Sequence, residues 1–94
     1  MPLLSKSQIE EQLSRLPDWY QHGGAIQKKY TFGSFLEAIA FINAIVPLAE
    51  AADHHPEIHT VYNSVTITLA THDAGGITEK DVALAQRIDE QKRS

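Results

Sequence analysis

Residues 34–53 read SFLEAIAFINAIVPLAEAAD and decide the fold, because they form one long apolar segment that starts with a helix signal. Ser34 with Glu37 three residues later has the spacing of a capping box. The apolar side chains then recur on every side of the predicted helix, with Glu37, Asn43 and Glu50 as the main polar exceptions. Since one sheet covers only one face of a helix, the remaining apolar surface predicts a second copy of the chain packed on helix 34–53.

Two prolines mark the middle and the end of this segment. Pro47 lies inside it, where a proline removes one backbone hydrogen bond, so we expect a kink or a break there. Pro56 closes the helix after His55, which places His54 and His55 in the last helical turn, where the partial negative charge of the helix end favours protonated imidazole. A central helix wrapped by the rest of one monomer is the alternative, but little chain remains to wrap it.

The chain before this helix predicts a shorter helix followed by a hairpin. Ser5 begins the shorter helix with a capping box, and Pro17 stops it, because the residue before a proline avoids helical angles. Within residues 19–32, the Gly-Gly pair at 23–24 accepts the positive φ angles of a tight turn between two strands. Lys28 interrupts the otherwise apolar inner face of the second strand.

Two more strands and a last helix follow. The β-rich runs at 57–61 and 64–71 are separated by a turn at 62–63. Thr78 caps the last helix, and Asp81 lies at its third position. The spacing from Asp81 to the apolar positions that follow directs its carboxylate along the inward face of that helix.

The order helix, two strands, helix, two strands, helix predicts an α+β fold. We expect a four-stranded antiparallel sheet with three helices packed on one face. The sequence has 94 residues, no internal repeat and no linker-like stretch, so we expect residues 1–94 to form a single domain.

Composition excludes several classes of function. The net charge is −4 and the basic residues are scattered, which disfavours direct binding to nucleic acid. The absence of cysteine excludes disulfides, thiolate zinc sites and a cysteine nucleophile. No run approaches the about 18 apolar residues of a membrane span, and the first residues include acids where a signal peptide is apolar. We therefore expect no membrane association and a cytoplasmic location.

The histidines are the unusual feature of this composition. Three of the five fall between residues 54 and 59, and a fourth is His72. Imidazole both donates and accepts protons near neutral pH, so the cluster indicates proton transfer, although a single histidine at a helix end is more often a cap. His55 and His59 have the spacing of a zinc-binding helix, but Pro56 excludes that helix, and we expect no metal. His59 and His22 are predicted to be surface residues.

Residues 53–57 (DHHPE), 62–63 (YN) and 71–73 (THD), with Asp81 beyond them, resemble the pterin-4a-carbinolamine dehydratase family. The resemblance is strongest over residues 50–81 and extends over nearly the whole chain. It implies an α+β fold whose long helix forms dimers that can pair into tetramers. It also implies a lyase without a cofactor, which dehydrates 4a-hydroxytetrahydropterin to quinonoid dihydropterin and so recycles the pterin of aromatic amino acid hydroxylases.

The resemblance also assigns roles to particular residues. It implies a catalytic set of His54, His55 and His72, in which His54 and His72 are the acid/base pair and His55 binds and orients the pterin. The supporting or substrate-binding residues that it implies are Glu50, Asp53, Pro56, Glu57, Asp73 and Asp81. Three positions depart from the family pattern: Ile58 replaces a usual aromatic residue, which weakens a wall of the pterin site, and Lys80 replaces a common arginine. Pro47 within the long helix is the third, and it affects the geometry of the oligomer more than the chemistry.

Two other functions remain open at this point. Some vertebrate relatives act as dimerisation partners of a transcription factor, so an interaction module that uses the apolar helix is one alternative. A pterin-binding protein without turnover is the other.

Overall fold

The computed structural model describes residues 2–93 and has the predicted α+β fold and order of elements. The helices are α1 (Lys6–Leu13), α2 (Phe35–Ala52) and α3 (Glu79–Arg93). The strands are β1 (Tyr20–His22), β2 (Ala25–Thr31), β3 (Glu57–Val61) and β4 (Ser64–Leu69), and a 3₁₀ turn (His72–Ala74) separates β4 from α3. The four strands form one antiparallel sheet in the order β1-β2-β4-β3.

One face of the sheet carries the core. On β4, Val65, Ile67 and Leu69 are fully buried and alternate with half-buried polar residues, as predicted for a strand with one covered face. Buried side chains from all three helices complete this core. On the other side, β3 is an edge strand whose five residues are all exposed. The helices therefore cover one face of the sheet, and the β3 edge stays open in the monomer.

The first helix begins as predicted and ends early. Ser5 forms the expected capping box with Gln8, and Ile9 is buried. The helix ends at Leu13, one turn before Pro17. The backbone then forms hydrogen bonds between residues three apart, as in a 3₁₀ turn, for example from Leu16 N–H to the Leu13 carbonyl (3.1 Å). The strand predicted over 64–71 likewise ends early, at Leu69, and Thr71 forms only an isolated bridge with Gly76.

Helix α2 is continuous through Pro47, so of the expected kink or break the break does not occur. Pro47 and Asn43, whose carbonyl lacks its helical partner, are both exposed, so water can replace the missing hydrogen bond. A stripe of buried side chains (Ala38, Phe41, Ile45 and Ala49) faces the core. Among residues 2–93, α2 is the one helix long and apolar enough to cross a membrane, whereas no run of that length was expected from the sequence. Length and composition are weak evidence for a membrane span, because core helices of other proteins meet the same two criteria.

The end of α2 corrects the prediction for the adjacent histidines. The helix ends at Ala52, and Asp53 adopts the left-handed conformation (φ 48°, ψ 45°). The N–H groups of Asp53 and His54 donate to the carbonyls of Glu50 and Ala49 (both 3.1 Å), which is a Schellman motif. His54 therefore lies beyond the last helical turn, and its prediction as a residue of that turn, together with His55, is wrong. Aspartate tolerates the left-handed angles that end the helix here.

A buried carboxylate ties α3 to the sheet and explains the polar interruption at Lys28. Asp89 is almost fully buried and accepts hydrogen bonds from Trp19 Nε1 (3.1 Å), Lys28 Nζ (2.9 Å) and the Tyr30 hydroxyl. All three donors bond to the Asp89 carboxylate, so the polar atoms of these four buried or half-buried side chains have hydrogen-bond partners inside the core. Lys28 thus lies on the inner face of β2 as predicted, with a partner that the sequence pattern did not identify.

Candidate active site

A cavity of about 250 Å³ opens where the end of α2 meets the end of β4. Its walls come from the segment after α2, the segment after β4 and the start of α3. The lining residues are Asp53, His54, His55, Ala70, Thr71, His72, Asp73 and Lys80. The volume is slightly below the about 300–1,000 Å³ of pockets for drug-sized ligands, so the cavity suits a molecule of one or two rings.

His54 forms the buried wall of this cavity. Its Nε2 lies 2.5 Å from Asp81 Oδ1, and the two side chains are 10% and 0% exposed. The prediction that the Asp81 carboxylate points inward from α3 is confirmed. The contact joins residues 27 positions apart and connects the segment after α2 to the first turn of α3.

Asp81 is surrounded by donors. Its Oδ2 accepts from the Thr71 hydroxyl (2.9 Å) and from the backbone N–H of Thr78 (2.8 Å). A carboxylate is only an acceptor, so with Asp81 in this form the His54 Nε2 carries the proton that bonds to Oδ1. The group therefore selects one tautomer of His54, with the lone pair on Nδ1.

The Nδ1 atom of His54 is free of protein hydrogen bonds within residues 2–93. The described part of the chain contains no buried side-chain nitrogen or oxygen without a partner. Nδ1 is therefore accessible to solvent, and His54 is one of the residues that line the cavity. A lone pair on a ring held from behind by a carboxylate can accept a proton from a ligand in the cavity.

His55 has a similar contact in a different environment. Its Nε2 lies 2.5 Å from Glu50 Oε2, and the two side chains are 61% and 67% exposed. His55 also lines the 250 Å³ cavity, whereas Glu50 does not. Glu50 is therefore linked to the cavity only through its contact with His55.

His72 enters the cavity from the other wall. It begins the 3₁₀ turn after β4, is exposed and has no side-chain hydrogen bond within residues 2–93. Thr71 closes the loop that carries it, since its N–H donates to the Gly76 carbonyl (2.8 Å) and its own carbonyl accepts from Gly75 N–H (2.9 Å). Gly75 has φ 79°, the left-handed region that glycine adopts without strain.

The other predicted site residues divide into two groups. Asp53 and Asp73 line the cavity with the three histidines. Pro56 lines a smaller cavity of about 130 Å³ beside α2, together with Glu50 and Ile58, and Ile58 forms no part of the larger cavity's wall. Glu57 lies on the open face of the sheet, which it shares with the exposed His59, and it does not line the cavity.

Sequence reasoning missed three residues that line the cavity. Lys80 was noticed only as a departure from a family pattern, and Ala70 and Thr71 were not assigned a role. The capping position of Thr78 was the available signal, because a cap at the start of α3 places the next residues beside the segment after β4.

Within the described residues, no three histidine or acidic side chains come close enough together to hold a metal ion.

The fold and the cavity define a small α+β domain with imidazole and carboxylate groups around a cavity of ligand size. Comparison with known families identifies it further. The model of the family described as pterin 4 alpha carbinolamine dehydratase matches residues 2–91, and the chain belongs to this family.

Sequence relatives and solved structures agree with this membership. A protein from Chloroflexus aurantiacus named "Putative pterin-4-alpha-carbinolamine dehydratase" is 51% identical to this chain, over 96% of this chain and 97% of that protein. A protein of the same name from a Cyanothece strain is 53% identical, over 97% of this chain and 94% of that protein. The crystal structure of a transcriptional coactivator/pterin dehydratase from Brucella melitensis is similar with a TM-score of 0.91 and 35% identity, over 95% of this chain and 97% of that one.

One structural relative has a different described role. A pterin dehydratase-like protein identified as a RuBisCO assembly factor in the alpha-carboxysome is similar with a TM-score of 0.68 and 31% identity, over 82% of this chain and 92% of that one. Members of the fold family are thus described with both enzymatic and assembly roles.

Proposed function

We propose that this protein dehydrates 4a-hydroxytetrahydropterin to quinonoid dihydropterin and so recycles the pterin of aromatic amino acid hydroxylases. The observation that carries the proposal is the convergence of His54 and His72, from separate segments, on one small cavity. The reaction breaks the bond from C4a to its hydroxyl oxygen and removes the proton from N5. It therefore needs one group that delivers a proton and one that accepts a proton.

His54 and His72 suit these two roles in different ways. Nδ1 of His54 carries a lone pair when Asp81 holds the proton on Nε2, so it accepts the N5 proton. His72 is exposed at the opposite wall and delivers a proton to the leaving hydroxyl, which departs as water. The C4a–N5 double bond of the product then forms without any other reactant.

The remaining lining residues suit the pterin ring. A pterin presents its 2-amino group and N3–H as donors, and Asp53 and Asp73 supply exposed carboxylate acceptors. His55, held by Glu50, orients the ring from the side of α2. These contacts position the substrate, while the proton transfers fall to His54 and His72.

The test is the rate of water loss from freshly generated 4a-hydroxytetrahydropterin, followed by stopped-flow absorbance without added metal. We expect His54→Ala and His72→Ala each to lower kcat by about 10²-fold or more. His22→Ala and His59→Ala are matched controls, because both side chains are exposed and neither lines the cavity. Full activity in the double variant His54→Ala, His72→Ala would rule out the proposal.

We also propose that two or more copies of the chain assemble through helix 34–53. The side of α2 away from the core exposes large apolar residues, among them Leu36 (78% exposed), Phe35 and Val46. Exposed apolar side chains along one helix are typical of an interface. Sedimentation velocity should show a dimer or tetramer that Leu36→Glu and Val46→Glu dissociate, with Leu3→Glu as an exposed control outside α2.

The same apolar face supports the alternative function, an interaction module. The Brucella melitensis relative is described as a coactivator as well as a dehydratase, and an exposed helix face can accept an amphipathic helix of another protein. A monomer at micromolar concentration that binds a synthetic amphipathic helix would favour this alternative over self-assembly.

A further inference from the structure

Thr71 occupies the point where the two walls of the cavity meet. Its backbone closes the loop that carries His72, through the hydrogen bonds to Gly76 (2.8 Å) and Gly75 (2.9 Å). Its side chain points to the group behind the other wall, where Oγ1 donates to Asp81 Oδ2 (2.9 Å). One residue is therefore bonded to the supports of both proposed catalytic histidines.

The hydrogen bonds around the Thr71 hydroxyl have a defined direction. Because the Asp81 carboxylate only accepts, Thr71 must donate its one hydroxyl proton to it. The Thr78 hydroxyl, 2.8 Å away, then donates to Thr71 and itself accepts from the backbone N–H of Lys80 (3.3 Å). The hydroxyl of Thr71 and the backbone N–H of Thr78 (2.8 Å) thus hold Oδ2 together, and this leaves Oδ1 directed at His54.

We propose that Thr71 is a positioning residue that couples His54 and His72. Its hydroxyl, together with the Thr78 N–H, sets the rotamer of Asp81, which holds the tautomer of His54, and its backbone sets the loop of His72. The inference rests on the proposed dehydration only for its effect on turnover, since the effect on the His54 tautomer needs no substrate. Both actions pass through other residues, so Thr71 is not itself catalytic.

The first test is a pair of substitutions that differ only in the hydroxyl. Thr71→Val keeps the shape but removes the donor, so we expect kcat to fall about tenfold, the cost of one hydrogen bond to a charged group, with KM changed less than about twofold. Thr71→Ser restores the hydroxyl and should recover most of this loss. Thr66→Val is the matched control, because Thr66 lies on the preceding strand, outside the cavity lining, and its hydroxyl has no partner in the described residues.

A double-mutant cycle separates positioning through Asp81 from a general structural role. If Thr71 acts through Asp81, adding Thr71→Val to an Asp81→Asn variant should lower kcat by less than about twofold, because Asp81→Asn has already altered the Thr71–Asp81 hydrogen bond. Losses that multiply in the double variant would overturn the inference. Thermal unfolding of each variant identifies the folded samples, and Thr71→Ala replaces Thr71→Val in the cycle if the valine variant does not fold.

The ring ¹⁵N chemical shifts of His54 give a readout that is independent of turnover. We expect the Nε2–H tautomer to dominate in the wild type and in Thr71→Ser, and the Nδ1–H tautomer to increase clearly in Thr71→Val. An unchanged tautomer in folded Thr71→Val overturns the inference even if the wild type is an active dehydratase. An inactive wild type whose tautomer responds to Thr71→Val supports the coupling and rejects the proposed function instead.

Discussion

Two neighbouring histidines make the same contact in opposite environments. His54 and His55 each place Nε2 2.5 Å from a carboxylate oxygen, of Asp81 and Glu50 respectively. The first pair is buried and the second is more than half exposed. An exposed pair contributes about 0–1 kcal/mol, whereas removal of one partner from a buried pair costs several kcal/mol. The two pairs therefore have the same distance but different energies, and the buried His54–Asp81 pair contributes more to holding the site.

The backbone at the end of α2 produces this difference. The left-handed Asp53 ends the helix, and the two side chains that follow leave the backbone in different directions. His54 turns to α3 and is held by a network that includes Thr71 and Thr78, while His55 turns back along α2 to Glu50. The buried histidine is held by a network of three residues, whereas within residues 2–93 the exposed one is held by Glu50 alone.

The largest effect is expected from Asp81→Asn. The amide loses the charge and presents donors where the carboxylate only accepted, so the tautomer of His54 is no longer held. We expect kcat to fall about 10²-fold and the free energy of unfolding to fall by about 1–3 kcal/mol. Stopped-flow assays measure the first effect and urea denaturation the second.

Asp89→Asn is the matched control for this prediction. Asp89 is also buried on α3 and also has three donors, but its partners belong to the core and not to the cavity. It should lose a similar free energy of unfolding, about 1–3 kcal/mol, and keep its activity per folded molecule within about twofold. Equal losses of activity in the two variants would contradict a special role for the His54–Asp81 pair.

The sequence predicted those features of the fold that depend on neighbouring residues. Capping signals at Ser5 and Ser34 correctly placed two helix starts, and helical spacing correctly directed Asp81 inward. Contacts between distant residues escaped prediction, because nothing in local periodicity indicates that Lys28 meets Asp89, 61 positions away. The long helix predicted over 34–53 ends at Ala52, but His54 and His55 were wrongly placed in its last turn, because the left-handed aspartate stops the helix before Pro56 does.

A smaller effect is expected from His55→Ala. An exposed imidazole that orients the pterin contributes to binding more than to proton transfer, so KM should rise about three- to tenfold while kcat falls less than about threefold. His59→Ala is the control, since His59 is another exposed histidine but lies on the open face of the sheet. A fall in kcat as large as that of His54→Ala would show instead that the two histidines act on the same proton.

The smallest effect is expected from Glu50→Gln. The substitution removes the charge of an exposed pair, so the free energy of unfolding should change by less than about 1 kcal/mol and the difference should shrink in 0.5 M NaCl. Urea denaturation at low and high salt measures both quantities. Glu50 lies beside Val46 on the exposed side of α2, so a loss above about 2 kcal/mol that persists in salt would mean that a second copy of the chain buries this pair in solution. The contrast between the two histidine pairs would then hold only for the monomer.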